Sequence, residues 1–116
     1  KEQLREMSQA GWTIASHTRS HPYLTGLNQE QRKAELEGSR IVLEEILGQP
    51  VRYIAYPYGV YDQNIIDDCK SAGYTMAFTI ERGWASSEDP FRLKRVYCYA
   101  NMGLEELKRR IEDPIY

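Results

Sequence analysis

Four short runs of β-branched and aromatic residues, WTIAS (12–16), VRYIAY (51–56), TMAFTI (75–80) and LKRVYCYA (93–100), read as strands, and helical segments separate the first from the second and the second from the third. A strand that reaches its neighbour through a helix pairs with it in parallel, since a two-residue hairpin is no longer available. The helices carry their own punctuation. Residues 2–10 stop at Gly11, and 63–72 close at Gly73. The segment 29–47 has Asn28 as N-cap, Gln31 as its capping-box partner, and Leu36, Leu43, Ile46 and Leu47 as the expected buried stripe. Asn101 reads as the N-cap of a last helix over 103–112. The order α-β-α-β-α-β-β-α predicts an α/β fold with a largely parallel sheet or barrel.

At 116 residues the chain is one small domain or a piece of a larger one. Its opening, KEQLREMSQAGW, reads as a helix inside a domain, so the chain is expected to be a piece, and the lack of a leader carries no weight. A net charge of −2 without any Lys/Arg block argues against a nucleic-acid footprint. Apolar runs are too short to span a membrane. Cys69 and Cys98 lie in no C-x-x-C or metal-ligand spacing and are expected to be two small buried thiols. Nine tyrosines and two tryptophans either fill the core or offer a platform for flat, amphipathic ligands such as sugars.

In parallel α/β folds, ligands gather where strands end at their carboxyl side. Three features share that rim: His17 and His21 after the first strand, Pro57-Tyr58-Gly59 after the second, and Trp84 after the third. The two histidines, the only ones in the chain, are four residues apart, a spacing that lets two imidazoles reach one ion. They are either metal ligands or a loop pair that holds nothing. The interior residues Thr18, Arg19 and Ser20 include no glutamate, which excludes the H-E-x-x-H pattern of the zincins, and Pro22 disfavours a long helix through the motif. Pro57-Tyr58-Gly59 either turns the chain and no more, or brings a backbone N–H to the rim for an oxyanion.

Taken together, these stretches resemble a known family. SHTRSHPYL (16–24) resembles the H-[ST]-x-x-H metal motif of the polysaccharide deacetylases (carbohydrate esterase family 4, the NodB homology domain). VRYIAYPYGVYD (51–62) is similar to their R-x-F-x-x-P-x-G segment, in the branch that reads YPYG, and AGYTMAFTIERGWASSEDPFRLKRV (72–96) to the strand, loop and strand that follow there. The resemblance implies a distorted (β/α) barrel of which residues 1–116 are the C-terminal portion of a single catalytic domain, the N-terminal strands missing. It implies His17 and His21 as ligands of a divalent metal, zinc being the usual ion. It also implies Pro57, Tyr58 and Gly59 as a groove wall, with the Tyr58 main-chain N–H binding the oxyanion, and Trp84 on the other wall. The implied activity is metal-dependent removal of N-acetyl groups from a glycan, at the cell envelope or outside the cytoplasm. The alternative is a catalytically dead member of the same fold that binds carbohydrate or protein.

Three departures qualify this. The family's T-F-D-D motif, source of the base and the third ligand, has no counterpart, because no aspartate precedes His17 and Glu2 and Glu6 lie in a helix. Arg52 matches the first arginine of the groove motif, but Ala55 stands where many members carry a second. No histidine follows His21 to act as the family's general acid. The chain alone is therefore expected to release little or no acetate, and strand edges left bare by truncation are expected to pair with another copy or exchange elements with it.

Overall fold

The longest helix starts and stops where its end residues dictate. In the computed structural model, which describes residues 1–115, the Asn28 side chain accepts from Gln31 N–H at 2.8 Å and Gln31 Oε1 accepts from Asn28 N–H at 3.1 Å. At the far end Gly48, with φ 67°, turns its N–H back to Glu44 C=O at 2.8 Å. This helix, α2 (Gln29–Leu47), follows α1 (Glu2–Gln9) and a 3₁₀ turn at Leu24–Gly26. After it come β1 (Tyr53–Ala55), a 3₁₀ turn at Pro57–Gly59, α3 (Gln63–Ser71), β2 (Met76–Arg82), β3 (Leu93–Arg95) and α4 (Leu104–Glu112). Among the described residues no helix is long and apolar enough to cross a membrane.

The sheet is parallel throughout, in the order β1-β2-β3, with Ala55 opposite Phe78 and Phe78 opposite Leu93. Ser16 joins it by a single parallel bridge to Ile54, donating its N–H to Tyr53 C=O at 2.8 Å and accepting from Ala55 N–H at 2.9 Å. Side chains alternate across the strands. Ile54, Ala77 and Thr79 are buried on one face. Leu36 of α2, Ile65, Ile66 and Cys69 of α3, and Tyr56, Tyr74 and Phe91 share one core with Ile54 and Ala77. Full burial of a Leu or Ile contributes about 1.5–3 kcal/mol, so this layer dominates the stability of the unit. An Arg32–Asp68 ion pair and an Arg40 Nε bond to Ala72 C=O at 2.6 Å tie α2 to α3. On the other face Met76 and Ile80 are exposed and Phe78 half-buried.

Several expectations need correction. The strand over 12–16 shrinks to the bridge at Ser16, because residues 12–15 find no partner strand among the described residues. The strand over 93–100 ends at Arg95: Tyr97 and Tyr99 continue the alternation but lie under the guanidinium groups of Arg82 and Arg110 at the surface. The last helix takes Gly103, at φ 76°, as its N-cap residue rather than Asn101. Leu43, Ile46 and Leu47 are only half-buried, and Leu36 alone of that stripe reaches the core. Cys69 is buried as expected, but Cys98 is exposed, since it falls beyond the end of β3.

Candidate functional site

His17 follows the bridging residue Ser16 directly, which places its ring at the carboxyl end of β1. There His17 Nδ1 lies 2.8 Å from Ala55 C=O. A carbonyl only accepts, so Nδ1 carries the proton of this bond, and in the neutral ring Nε2 presents its lone pair outward. His21 Nε2 lies 2.9 Å from His17 Nε2, with the ring centroids 4.5 Å apart and the planes at 67°. Two nitrogens at that separation can both touch one ion, because a zinc–nitrogen distance is about 2.0–2.1 Å and twice that exceeds the gap. The donor set fits a divalent ion in kind but supplies two ligands only. Among the described residues no group of three His, Cys, Asp or Glu side chains is placed to hold a metal.

The loop that curls His21 back is held in an uncommon shape. Thr18 and His21 have φ of 67° and 57°, the left-handed region that costs a non-glycine residue about 1–2 kcal/mol. Thr18 Oγ1 accepts from His21 N–H at 3.1 Å, and Ser16 Oγ accepts from Thr18 N–H at 3.2 Å. Beneath the loop Ser16 Oγ and Ser39 Oγ lie 2.6 Å apart, and Tyr74 OH donates to Leu36 C=O at 2.7 Å, so buried hydroxyls anchor the loop's start to α2. From α2, Glu35 accepts from Arg19 N–H and Ser20 N–H, both at 2.9 Å, and from the Ser20 hydroxyl. Burial pushes the Glu35 carboxyl up, but these bonds outweigh it and hold the carboxyl below the usual carboxylate range.

The Pro57-Tyr58-Gly59 turn faces the histidines. The Tyr58 ring lies edge-on to His21, centroids 4.5 Å apart, and stacks on Tyr23 at 4.0 Å with the planes 10° apart. Tyr58 also sits at positive φ, 59°, so its backbone departs from the ordinary turn path. Gly59 N–H donates to Tyr56 C=O at 2.9 Å and Val60 N–H to Pro57 C=O at 3.2 Å; Tyr58 N–H takes part in neither bond. Pro57 is buried beneath the corner.

Trp84 is placed by other partners. Its Nε1–H donates to Arg110 C=O at 2.9 Å, and its ring lines a groove of about 550 Å³ with Phe78, Val96 and Ile111. Among the described residues its hydrogen bond and groove lining include none of His17, His21 or Tyr58. Arg52 precedes β1 and so sits at the opposite end of that strand from Ala55, the partner of His17. Sequence reasoning passed over Glu35, Tyr23 and the Ser16–Ser39–Tyr74 hydroxyls. None carries a local signal, because each acquires its role only when α2 and the sheet meet.

Comparison with known proteins identifies the family and the fold. The family model for polysaccharide deacetylases matches residues 1–77. YxkH of Bacillus subtilis (strain 168), a protein whose name assigns it to the polysaccharide deacetylases, is 35% identical over 88 residues, covering 76% of this chain and 32% of YxkH. The Streptococcus pyogenes deacetylase PplD, solved in complex with acetate, superposes with a TM-score of 0.86 at 29% identity over 94% of this chain and 49% of PplD. The polysaccharide deacetylase BC0361 from Bacillus cereus superposes with a TM-score of 0.82 at 29% identity, over 95% of this chain and 35% of BC0361. The α/β unit with its parallel sheet is thus part of a NodB-type barrel, and the chain spans a third to a half of the relatives' length.

Proposed function

This chain belongs to the polysaccharide deacetylase family, and from that premise we propose that the whole protein removes N-acetyl groups from a polymeric glycan, with His17 and His21 holding a divalent ion, zinc first. The observation that carries this reading is the convergence of the two Nε2 atoms, 2.9 Å apart, beside the Tyr58 corner. A divalent ion bound there would acidify a water and polarise the acetamide carbonyl.

The chain's own residues supply the rest. The bond from His17 Nδ1 to Ala55 C=O sets the tautomer that leaves Nε2 as a ligand. Tyr58 N–H, unused by the 3₁₀ turn, donates to the carbonyl oxygen as it becomes an oxyanion. Removing one such donor from a comparable site costs about 2.7–4 kcal/mol of barrier. Gly59, at φ 68°, lets the corner lie close against Ile80 of β2, and Pro57 holds it against the core. Trp84, along its own groove, is assigned to glycan contact farther from the reacting bond. The water oxygen adds to the acetyl carbon as its proton passes to a base, the C–N bond breaks, the leaving nitrogen takes up a proton, and acetate and the free amino sugar are released. The third ligand and the base that takes the water's proton are assigned to the portion of the relatives that this chain does not span. The same reading assigns the protein to the cell envelope or to the outside of the cytoplasm.

Acetate release from N-acetylglucosamine oligomers by the whole protein tests this reading. Wild type is expected to turn over, while His17→Ala and His21→Ala abolish turnover and the 116-residue chain alone shows none. Glycan binding by the whole protein without acetate release would favour the binding-only alternative, since a fold by itself does not specify catalysis.

A further inference from the structure

We propose that Glu35 is a positioning residue for the histidine pair: from α2, its carboxylate holds the segment between His17 and His21 in the shape that brings the two Nε2 atoms together. The consequence for ion affinity rests on the metal reading above; the consequence for ring geometry does not.

Residues 18–20 form no ladder hydrogen bonds, and two of the loop's residues sit at positive φ. Strain of that kind persists only where the surroundings over-determine it. The bond from Thr18 N–H to Ser16 fixes only the loop's start, and the bond from His21 N–H to Thr18 is internal to the loop and moves with it. Among the described residues, Glu35 is the side chain that hydrogen-bonds Arg19 and Ser20, the middle of the loop. Two consecutive amides converge on one carboxylate oxygen just after left-handed Thr18, the concave arrangement in which backbone N–H groups grip an anion. Bonds to an ionised acceptor are roughly twice as strong as neutral ones. Glu35 has a firm base for this task, because Leu36 beside it is fully buried in the core and α2 is capped at both ends. A helix anchored in the core therefore dictates the path of an exposed loop.

The test compares Glu35→Ala, Glu35→Gln and, as a control, Arg40→Ala, which cuts the tie of α2 to Ala72 and an ion pair with Glu44 inside α2, both away from the loop. Two quantities are read: the ring-to-ring NOE between His17 and His21 in metal-free protein, and zinc affinity by chelator competition. Glu35→Ala is expected to lose the NOE and to weaken zinc binding about 10–100-fold, the usual range for outer-shell ligand support. Glu35→Gln, which keeps an acceptor oxygen without the charge, is expected to fall between. Arg40→Ala is expected to lower thermal stability and leave both readings unchanged. An intact NOE with zinc affinity within about twofold of wild type in Glu35→Ala overturns the proposal. So does an Arg40→Ala variant that reproduces the loss. Should Glu35→Ala fail to fold, wild-type readings in Glu35→Gln are the refuting result. A wild-type protein that shows the NOE but takes up no zinc sinks the metal reading, and the NOE series alone then decides Glu35.

Discussion

Gly59→Ala is the substitution whose effect can be worked through most fully. Gly59 has φ 68°, and a Cβ built there lies 2.7 Å from Ile80 Cγ2 and 2.9 Å from Ile80 Cδ1, with Cγ1 closer still. The left-handed backbone costs an alanine about 1–2 kcal/mol. The steric part adds about 1–3 kcal/mol, because the β-branched Ile80 has few rotamers through which to retreat. The total is about 2–5 kcal/mol of unfolding free energy, readable as a lower urea midpoint at unchanged slope. Ile80 is 63% exposed, so Ile80→Ala alone should cost less than about 1 kcal/mol. In the double variant the clash disappears while the backbone penalty stays, so a double-mutant cycle should return a favourable coupling of about 1–3 kcal/mol. Gly59→Ala within about 0.5 kcal/mol of wild type, or a coupling near zero, would refute the claim that the Tyr58 corner is shaped by close contact with β2.

Other outcomes follow from the same coordinates. Burial, with the Asp68 carboxylate adding to it, pushes the Cys69 thiol up to about 12, while Cys98 is exposed, so Ellman's reagent should titrate one thiol per chain in native buffer and two in denaturant. Val51 N–H and the Arg40 guanidinium hold the Glu44 carboxyl below its ordinary 4.5. A depressed folded-state value means that the stabilisation is complete above 4.5 and fades as the pH falls through the lower folded-state value; unfolding curves from pH 6 down to 3 should show this loss, and Glu44→Gln should reduce it. Tyr74→Phe removes the donor to Leu36 C=O in the core under the histidine loop and should cost about 1–3 kcal/mol in urea unfolding; a smaller change would mean that water replaces the bond.

What could be read in advance was whatever the chain encodes locally. The Asn28 and Gln31 cap and the Gly48 stop of α2 lie within a turn of the ends they define. The parallel pairing of β1 with β2 needed only the helical spacer between them, whereas β3 joins β2 in parallel with no helix between. The rim placing of His17, Pro57 and Tyr58 followed from strand ends alone. The misplaced features depend on partners distant in sequence. Residues 12–15 have strand character, yet pairing is a property of two segments and here only Ser16 finds one. Tyr97 and Tyr99 alternate as a strand would, but two arginines from β2 and α4 cover their rings instead. The grip of Glu35 on the Arg19 and Ser20 amides arises only once α2 lies beside the histidine loop, and a glutamate within a charged helix gives no hint of it.

The most direct test of the central claim is a zinc-edge anomalous difference map from crystals soaked in zinc. The account predicts a single peak bonded to Nε2 of both His17 and His21, at about 2.0–2.1 Å from each, on the side that faces Tyr58. A map without density between the two rings, or with the ion held by one histidine while the other turns away, would contradict it.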